Sequence, residues 1–173
     1  RESMFVAERA GLEAIRCSRA IRVPEVYLTG SDDETAYIVM EYIDLGGPQD
    51  HERLARALAA MHGCVQQHFG FHSDNTIGSA PQMNCWNTNW VDFWREHRLG
   101  FQLQLARRNG LDSRLIDRGL LLADNLAPFF SSYHPRPSLL HGDLWSGNYN
   151  ADSKGNPVIY DPACYHGDHE ADL

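Results

Sequence analysis

The sequence predicts an α+β fold in two lobes: a partial, small antiparallel β lobe over residues 1–45, then a mainly helical lobe over residues 46–173 carrying a β hairpin. Three observations carry this prediction. Two β-rich runs, residues 22–29 and 36–43, flank the turn residues Gly30-Ser31-Asp32-Asp33-Glu34-Thr35 and read as an antiparallel hairpin. At Asp44-Leu45-Gly46-Gly47-Pro48 regular structure must stop, and the pattern beyond it changes from strands to helices. Near the end, Val158-Ile159-Tyr160 follows the turn formers Asp152-Ser153-Lys154-Gly155-Asn156, so residues 148–161 form a second hairpin.

Length and charge bound the remaining possibilities. The 173 residues are about one domain and enough to bury a core. A net charge of −8 leaves no basic footprint for nucleic acid. No run approaches the roughly 18 apolar residues that a membrane span needs. Cys17, Cys64, Cys85 and Cys164 are far apart, with no Cys-x-x-Cys pair for a zinc knuckle and no dense disulfide framework. Reduced thiols and a soluble, cytoplasmic protein are expected. The first residue is Arg rather than Met. Oligomeric state is not legible.

Residues 4–17 predict the first helix, with Phe5, Glu8, Leu12 and Ile15 recurring at spacings of three and four. Glu8 lies beside the inward stripe, where a carboxylate needs a partner or an outlet to solvent. Its two readings are a stripe-edge residue in water and a functional acid. After the hairpin, Asp50 caps a helix to about residue 67, with Leu54, Leu58, Met61 and Val65 on one face. His62 on it reads as a packed or solvated helix residue. Residues 70–89 form a loop too long for a passive connector, a candidate substrate loop. Trp86, Trp90, Phe93 and Trp94 crowd its end, either as core or as walls of a sugar pocket. Two helices follow, residues 90–109 and 113–131, split by the C-cap signal Asn109-Gly110.

The chemistry concentrates between residues 139 and 161. In His141-Gly142-Asp143-Leu144-Trp145-Ser146-Gly147-Asn148, four residues separate Asp143 from Asn148 in a loop after the apolar pair Leu139-Leu140. Protein kinases use His-Arg-Asp, four residues, Asn: the Asp receives the proton of the attacking hydroxyl and the Asn holds a metal. Here Gly142 replaces the Arg. Mg²⁺, a hard cation, takes one or two carboxylates besides phosphate oxygens. Asp161, ending the strand, supplies the second acid, so the two metal ligands Asn148 and Asp161 close the two ends of one hairpin.

Longer strings narrow the family. Ile77-Gly78 with Pro81-Gln82 and Asn84-x-Trp86, Asn89-Trp90-Val91-x-Phe93-Trp94-Arg95-Glu96, the His141 to Asn148 loop, and Asp161-Pro162-Ala163-Cys164-Tyr165-His166-Gly167 together resemble the fructosamine/ketosamine 3-kinase family, in the aminoglycoside phosphotransferase-like branch of the protein-kinase-like fold. The likeness runs nearly end to end, and Trp145 is its most distinctive part. The resemblance implies ATP and Mg²⁺ as cofactors and phosphorylation of the 3-hydroxyl of ketosamines, as small molecules or on glycated proteins, a deglycation step. It makes Asp143 the base and Asn148 and Asp161 the metal ligands. Glu8 becomes the partner of a nucleotide-positioning Lys, and Met40, Glu41, Tyr42 and Ile43 form the hinge that binds adenine. Trp145 and His141 are implied at the substrate, and Asp172 braces the catalytic loop.

The departures from that family are as definite as the match. Ahead of Glu8 there is neither a glycine-bearing nucleotide loop nor a strand Lys, and further helices would be expected beyond Leu173, so the chain reads as the middle of such a kinase. Two rival readings stand beside this one. The first is a kinase-fold binding module without catalysis. The second is a metal-dependent hydrolase built on His141, Asp143, Asp161, His166, Asp168 and His169.

Overall fold

The computed structural model describes residues 2–173. Helix α1 (Glu2–Ser18) buries Leu12 and Ile15 of the predicted inward stripe together with Gly11, while Phe5 and Glu8 are half-buried. Gly11 is small because Pro162 and Cys164 press against it. Strands β1 (Val26–Ser31) and β2 (Ala36–Met40) form the expected antiparallel hairpin, with Gly30 opposite Tyr37 and Leu28 opposite Val39.

The hairpin is shorter than its sequence pattern because residues 21–23 are captured elsewhere. Ile21 and Val23 are buried, and Arg22 accepts a backbone bond of 3.0 Å from Ile159. The Arg22 guanidinium reaches Asp152 at 2.6 Å and Glu41 at 2.8 Å. Apolar burial and a paired charge thus outweigh continuation of the strand.

Helix α2 (His51–His62) is capped by Asp50, whose carboxylate accepts from the backbone of Arg53. It ends at Gly63, short of residue 67, because the next residues pair with another strand. Leu139 donates to Cys64 and Gln66 to Pro137, both at 2.9 Å. The expected loop 70–89 contains a small hairpin of β3 (Asn75–Ile77) and β4 (Ala80–Gln82), turned at Gly78.

Helix α3 (Trp90–Trp94), a π-helical stretch (Arg95–Gly100) and α4 (Phe101–Arg108) form one rod, then α5 (Ser113–Asp124) and a 3-10 turn (Ala127–Phe130) follow. The expected helix over residues 113–131 is therefore divided at Asn125. Strands β5 (Ser138–Leu140) and β8 (Tyr165–Gly167) pair antiparallel, as do β6 (Tyr149–Ala151) and β7 (Pro157–Ile159). A final 3-10 turn (His169–Asp172) returns to β5.

One apolar cluster joins all of this. Leu12, Ile15, Ile21 and Val23 share it with Met61, Phe93, Leu140 and Ile159, so the first 45 residues and the rest are packed into one core. No helix among the described residues is long and apolar enough to cross a membrane.

Candidate active site

Strand β5 delivers its chain into the loop His141-Gly142-Asp143, and that loop is held from below by a single carboxylate. One oxygen of Asp172 accepts from the backbone N–H of His141 at 2.8 Å and from Nε2 of His62 at 2.9 Å. Its other oxygen accepts from the N–H of Gly142 at 2.8 Å. Asp172 is buried, and the bonds from His141 and His62 form where water does not compete, while that from Gly142 is partly buried. His62, read from sequence as a packed or solvated residue, is packed and reaches this carboxylate.

His141 is fully buried, with 0% exposure. Its Nδ1 accepts from the N–H of Asp143 at 3.3 Å, which fixes the tautomer that donates from Nε2 to the carbonyl of Tyr160 at 2.9 Å. Burial pushes its pKa down and keeps the ring neutral, as that tautomer requires. A ring with both nitrogens engaged inside the protein reaches no substrate. His141 instead ties the start of the loop to the end of β7. Gly142 has φ of +80°, and a Cβ there would collide with the carbonyl of Ala163, so only glycine serves.

The loop closes at Asn148. Its amide nitrogen donates to the backbone carbonyl of Asp143 at 2.9 Å and approaches the Asp143 carboxylate and the Asp161 carbonyl, each at 3.4 Å. The amide oxygen, the harder donor, is left uncommitted among the described residues. Tyr160 donates to the carbonyl of Asn148 at 3.0 Å, so β6 and β7 place Asn148 and Asp161 side by side. Asp161 sits in the left-handed region at φ of +57°, a conformation uncommon for a residue with a side chain.

Asp143 and Asp161 open into a cavity of about 290 Å³, whose far wall is α1 at Met4, Phe5 and Glu8. Asn75, Thr76 and Gly78 of the small hairpin form another side. Three carboxylates face one space with no basic residue in its lining. The carboxyl of Glu8 is raised to about 7, first by burial and then by the charge of Asp161. A divalent cation would find only part of its ligands here, because the three carboxylates are not arranged around one point. Asp161 and the Asn148 amide oxygen would hold it, leaving further positions for phosphate oxygens and water, as Mg²⁺ prefers.

The raised carboxyl of Glu8 has a measurable sign. Its folded-state pKa lies above the unfolded one, so the penalty for ionising it grows as pH rises from about 4.5 to 7 and is complete above that. Glu8→Gln should therefore raise the melting temperature by a few degrees near pH 8 and leave it nearly unchanged near pH 5. Equal shifts at the two pH values would show that Glu8 is not an uncompensated acid.

The remaining residues singled out from sequence lie apart from this cavity. Trp145 is 60% exposed beyond Asp143, its ring over Gly147, where any side chain would displace it. Met40 ends β2, Glu41, Tyr42 and Ile43 follow it, and none of the four lines the cavity. The six residues of the hydrolase reading are not gathered: His166 bonds to the carbonyl of Gly70, and Asp168 accepts from Tyr133 and caps the last turn. No group of three or more His, Cys, Asp or Glu side chains among the described residues is arranged to hold a metal.

Sequence reasoning missed how the cavity's third wall is fixed. Gln82 donates to the carbonyl of Ala163 and Asn75 to that of Cys164, which staples the β3–β4 hairpin to the segment after Asp161. Arg98 in turn holds Met83 and Asn84 at 2.6 and 2.7 Å, its guanidinium stacked between Phe93 and Tyr165 at 4.6 and 4.0 Å. Burial pushes the pKa of Arg98 down, and the stacked rings stand where a carboxylate would usually be. The one signal in the sequence was an Arg set among aromatic residues.

Comparison with known proteins shows the family. A model of the family described as fructosamine kinase matches residues 1–173. A protein-ribulosamine 3-kinase, chloroplastic, of Arabidopsis thaliana is 48% identical over 175 residues, covering 99% of this chain and 54% of that protein. Its namesake in Oryza sativa subsp. japonica is 46% identical, with 99% and 51% covered. The crystal structure of a "Putative fructosamine-3-kinase" from Haemophilus somnus superposes with a TM-score of 0.88 at 31% identity, over 99% of this chain and 58% of that one. The chain thus spans about half the length of the curated relatives it matches. With its α+β kinase-like architecture and its loop from His141 to Asn148, the chain belongs to the fructosamine kinase family.

Proposed function

We propose that the complete protein transfers the terminal phosphoryl group of ATP to the 3-hydroxyl of a ketosamine, a fructosamine or ribulosamine adduct, free or on a protein lysine. The observation that supports this is the convergence of Asp143 and Asp161 on one cavity, with Asn148 bridging the two behind its lining and Glu8 on the opposite wall. The names of the plant relatives support the acceptor class.

Asp143 takes the proton of the sugar hydroxyl as it attacks. Bound Mg²⁺ would neutralise charge on the phosphates, and Asn148 and Asp161 are the residues that would hold it. Glu8 orients a cationic partner on the nucleotide side. Tyr42 and Ile43 have no backbone hydrogen-bond partner among the described residues, which suits residues 40–43 to the edge of an adenine ring. The nucleotide then lies between residues 1–45 and residues 46–173. Trp145 offers an exposed indole to the sugar, and His141 acts as a positioning residue beneath the base. Positioning and charge neutralisation supply most of the acceleration in such reactions. The four free cysteines fit a cytoplasmic setting, whereas the two plant relatives are named chloroplastic.

The test is direct. Purified complete protein given Mg-ATP and ribulosyl-lysine or fructosyl-lysine should release ADP and a sugar 3-phosphate, identified by phosphorus NMR. Release of inorganic phosphate without a phosphorylated sugar would overturn the acceptor, and stoichiometric binding of ATP with no turnover would restore the silent-module reading.

A further inference from the structure

At the other end of α1 from Glu8 lies a second, chemically different site. A cavity of about 490 Å³ includes Cys17, Cys64, Phe71 and His166, and one of about 510 Å³ includes Gln67, His68 and Thr88; the two meet at Gln66 and Trp86. About nine residues of helix separate Glu8 from Cys17, or roughly 14 Å along its axis. No residue lines both this groove and the catalytic cavity.

The groove is built rather than incidental. Phe69 and Asn87 exchange two backbone bonds of 2.8 and 2.9 Å, and Gly70 and His166 exchange two of 2.9 and 2.8 Å. Gly70 has φ of +118° and lies so close to Asn84 that a Cβ there would strike its carbonyl. These ties fix Trp86, which is 50% exposed, with one side of its indole over the His166 ring at 6.1 Å. An aromatic face held this way presents a rigid apolar platform at little entropic cost on binding.

The polar groups around that platform include no carboxylate, ammonium or guanidinium, and most are unspent. Among the described residues, the side chains of Gln66, Gln67, His68 and Thr88 make no hydrogen bond, and Asn87 uses only its carbonyl oxygen, accepting from Asn89. No Asp, Glu, Lys or Arg lines either cavity, in a chain with 15 basic and 23 acidic residues. That gives a phosphorylated or cationic ligand no permanently charged partner, the histidines His68, His72 and His166 aside. Amides and hydroxyls both donate and accept, as sugar hydroxyls do, and a sugar ring has an apolar CH face to lay on an indole.

We propose that the groove around Trp86 is a second, non-catalytic binding site for the ring of a neutral, unphosphorylated carbohydrate. It stands on its own chemistry and does not require the phosphoryl-transfer reading. Occupancy bears on the end of α1 opposite Glu8, so the two sites share one rigid element.

The experiment uses the full chain without nucleotide, titrated with D-fructose, D-ribose and fructose 6-phosphate and followed by amide chemical shifts. The neutral sugars should bind with Kd on the order of 1 mM and move the amides of Gln66, Gln67, Asn87 and Thr88. Trp86→Ala should weaken this about tenfold, and Gln67→Ala, at the exposed rim where folding is not at stake, severalfold. Fructose 6-phosphate should bind at least tenfold more weakly than fructose. Shifts confined to residues 141–148, binding unaffected by Gln67→Ala, equal affinity for the phosphorylated sugar, or no binding up to about 50 mM would each overturn the proposal.

Discussion

Asp143→Asn in the complete protein is expected to lower kcat by about three orders of magnitude, with KM for ATP little changed and the circular dichroism spectrum superimposable on the wild type. The size follows from what is removed. A positioned general base contributes roughly 10²–10⁴ in rate, and the isosteric amide keeps the shape of the loop but cannot take a proton. The fold is spared because Asn148 bonds to the backbone carbonyl of Asp143 at 2.9 Å, which the substitution leaves in place. Among the described residues, the 3.4 Å approach of Asn148 is the only hydrogen bond to the Asp143 carboxylate put at risk. Steady-state kinetics with a ketosamine acceptor decide it, and a variant with more than about a tenth of wild-type kcat would sink the assignment of Asp143 as base.

Asp172→Ala is expected to act through stability first. Three donors lose their partner at once: the N–H of His141 and the Nε2 of His62, both inside the protein, and the partly buried N–H of Gly142. Unsatisfied buried donors cost about 1–3 kcal/mol each when nothing relaxes. Partial relaxation brings the expected loss to about 3 kcal/mol, or roughly 6–12 °C in Tm for a chain of this size. Asp172→Asn retains one acceptor oxygen and should recover part of that loss. Activity should fall further than stability alone explains, since the same bonds set the path of the loop that presents Asp143. Differential scanning calorimetry of both variants tests this, and an unchanged Tm for the alanine variant would show that the brace is not structural.

What was legible in the sequence was local. Asp143, Asn148 and Asp161 lie on one loop and one hairpin, so their spacing alone put them together, and the stripe Leu12, Ile15 of α1 was readable from periodicity. What was not legible depended on partners far along the chain. Val65 fits a helical face, yet Ser138 draws it out of α2 into a bridge. Arg22 fits a strand, yet Val158 and Asp152 take it. The hairpin over residues 75–82 has strands of three residues with Pro81 inside, too short for an alternating pattern to show. His141 sits in the motif position that invites a substrate contact, and only the surrounding β5, β7 and Asp172 reveal that it is enclosed.

The π-helical stretch from Arg95 to Gly100 bears on which length changes this chain tolerates. A π turn amounts to one residue inserted into an α-helix, and it slips the phase of everything downstream by about 100°. Upstream, Trp90 and Phe93 face the main core, and downstream, Leu103 meets Gly119 of α5. One rod therefore addresses two partners that a uniform helix would not align. Deleting a single residue between 95 and 100 would make a more regular helix, but it would turn Leu103 away from α5 or Arg98 away from Asn84. The segment is intolerant of a shortening that local helix propensity alone would favour.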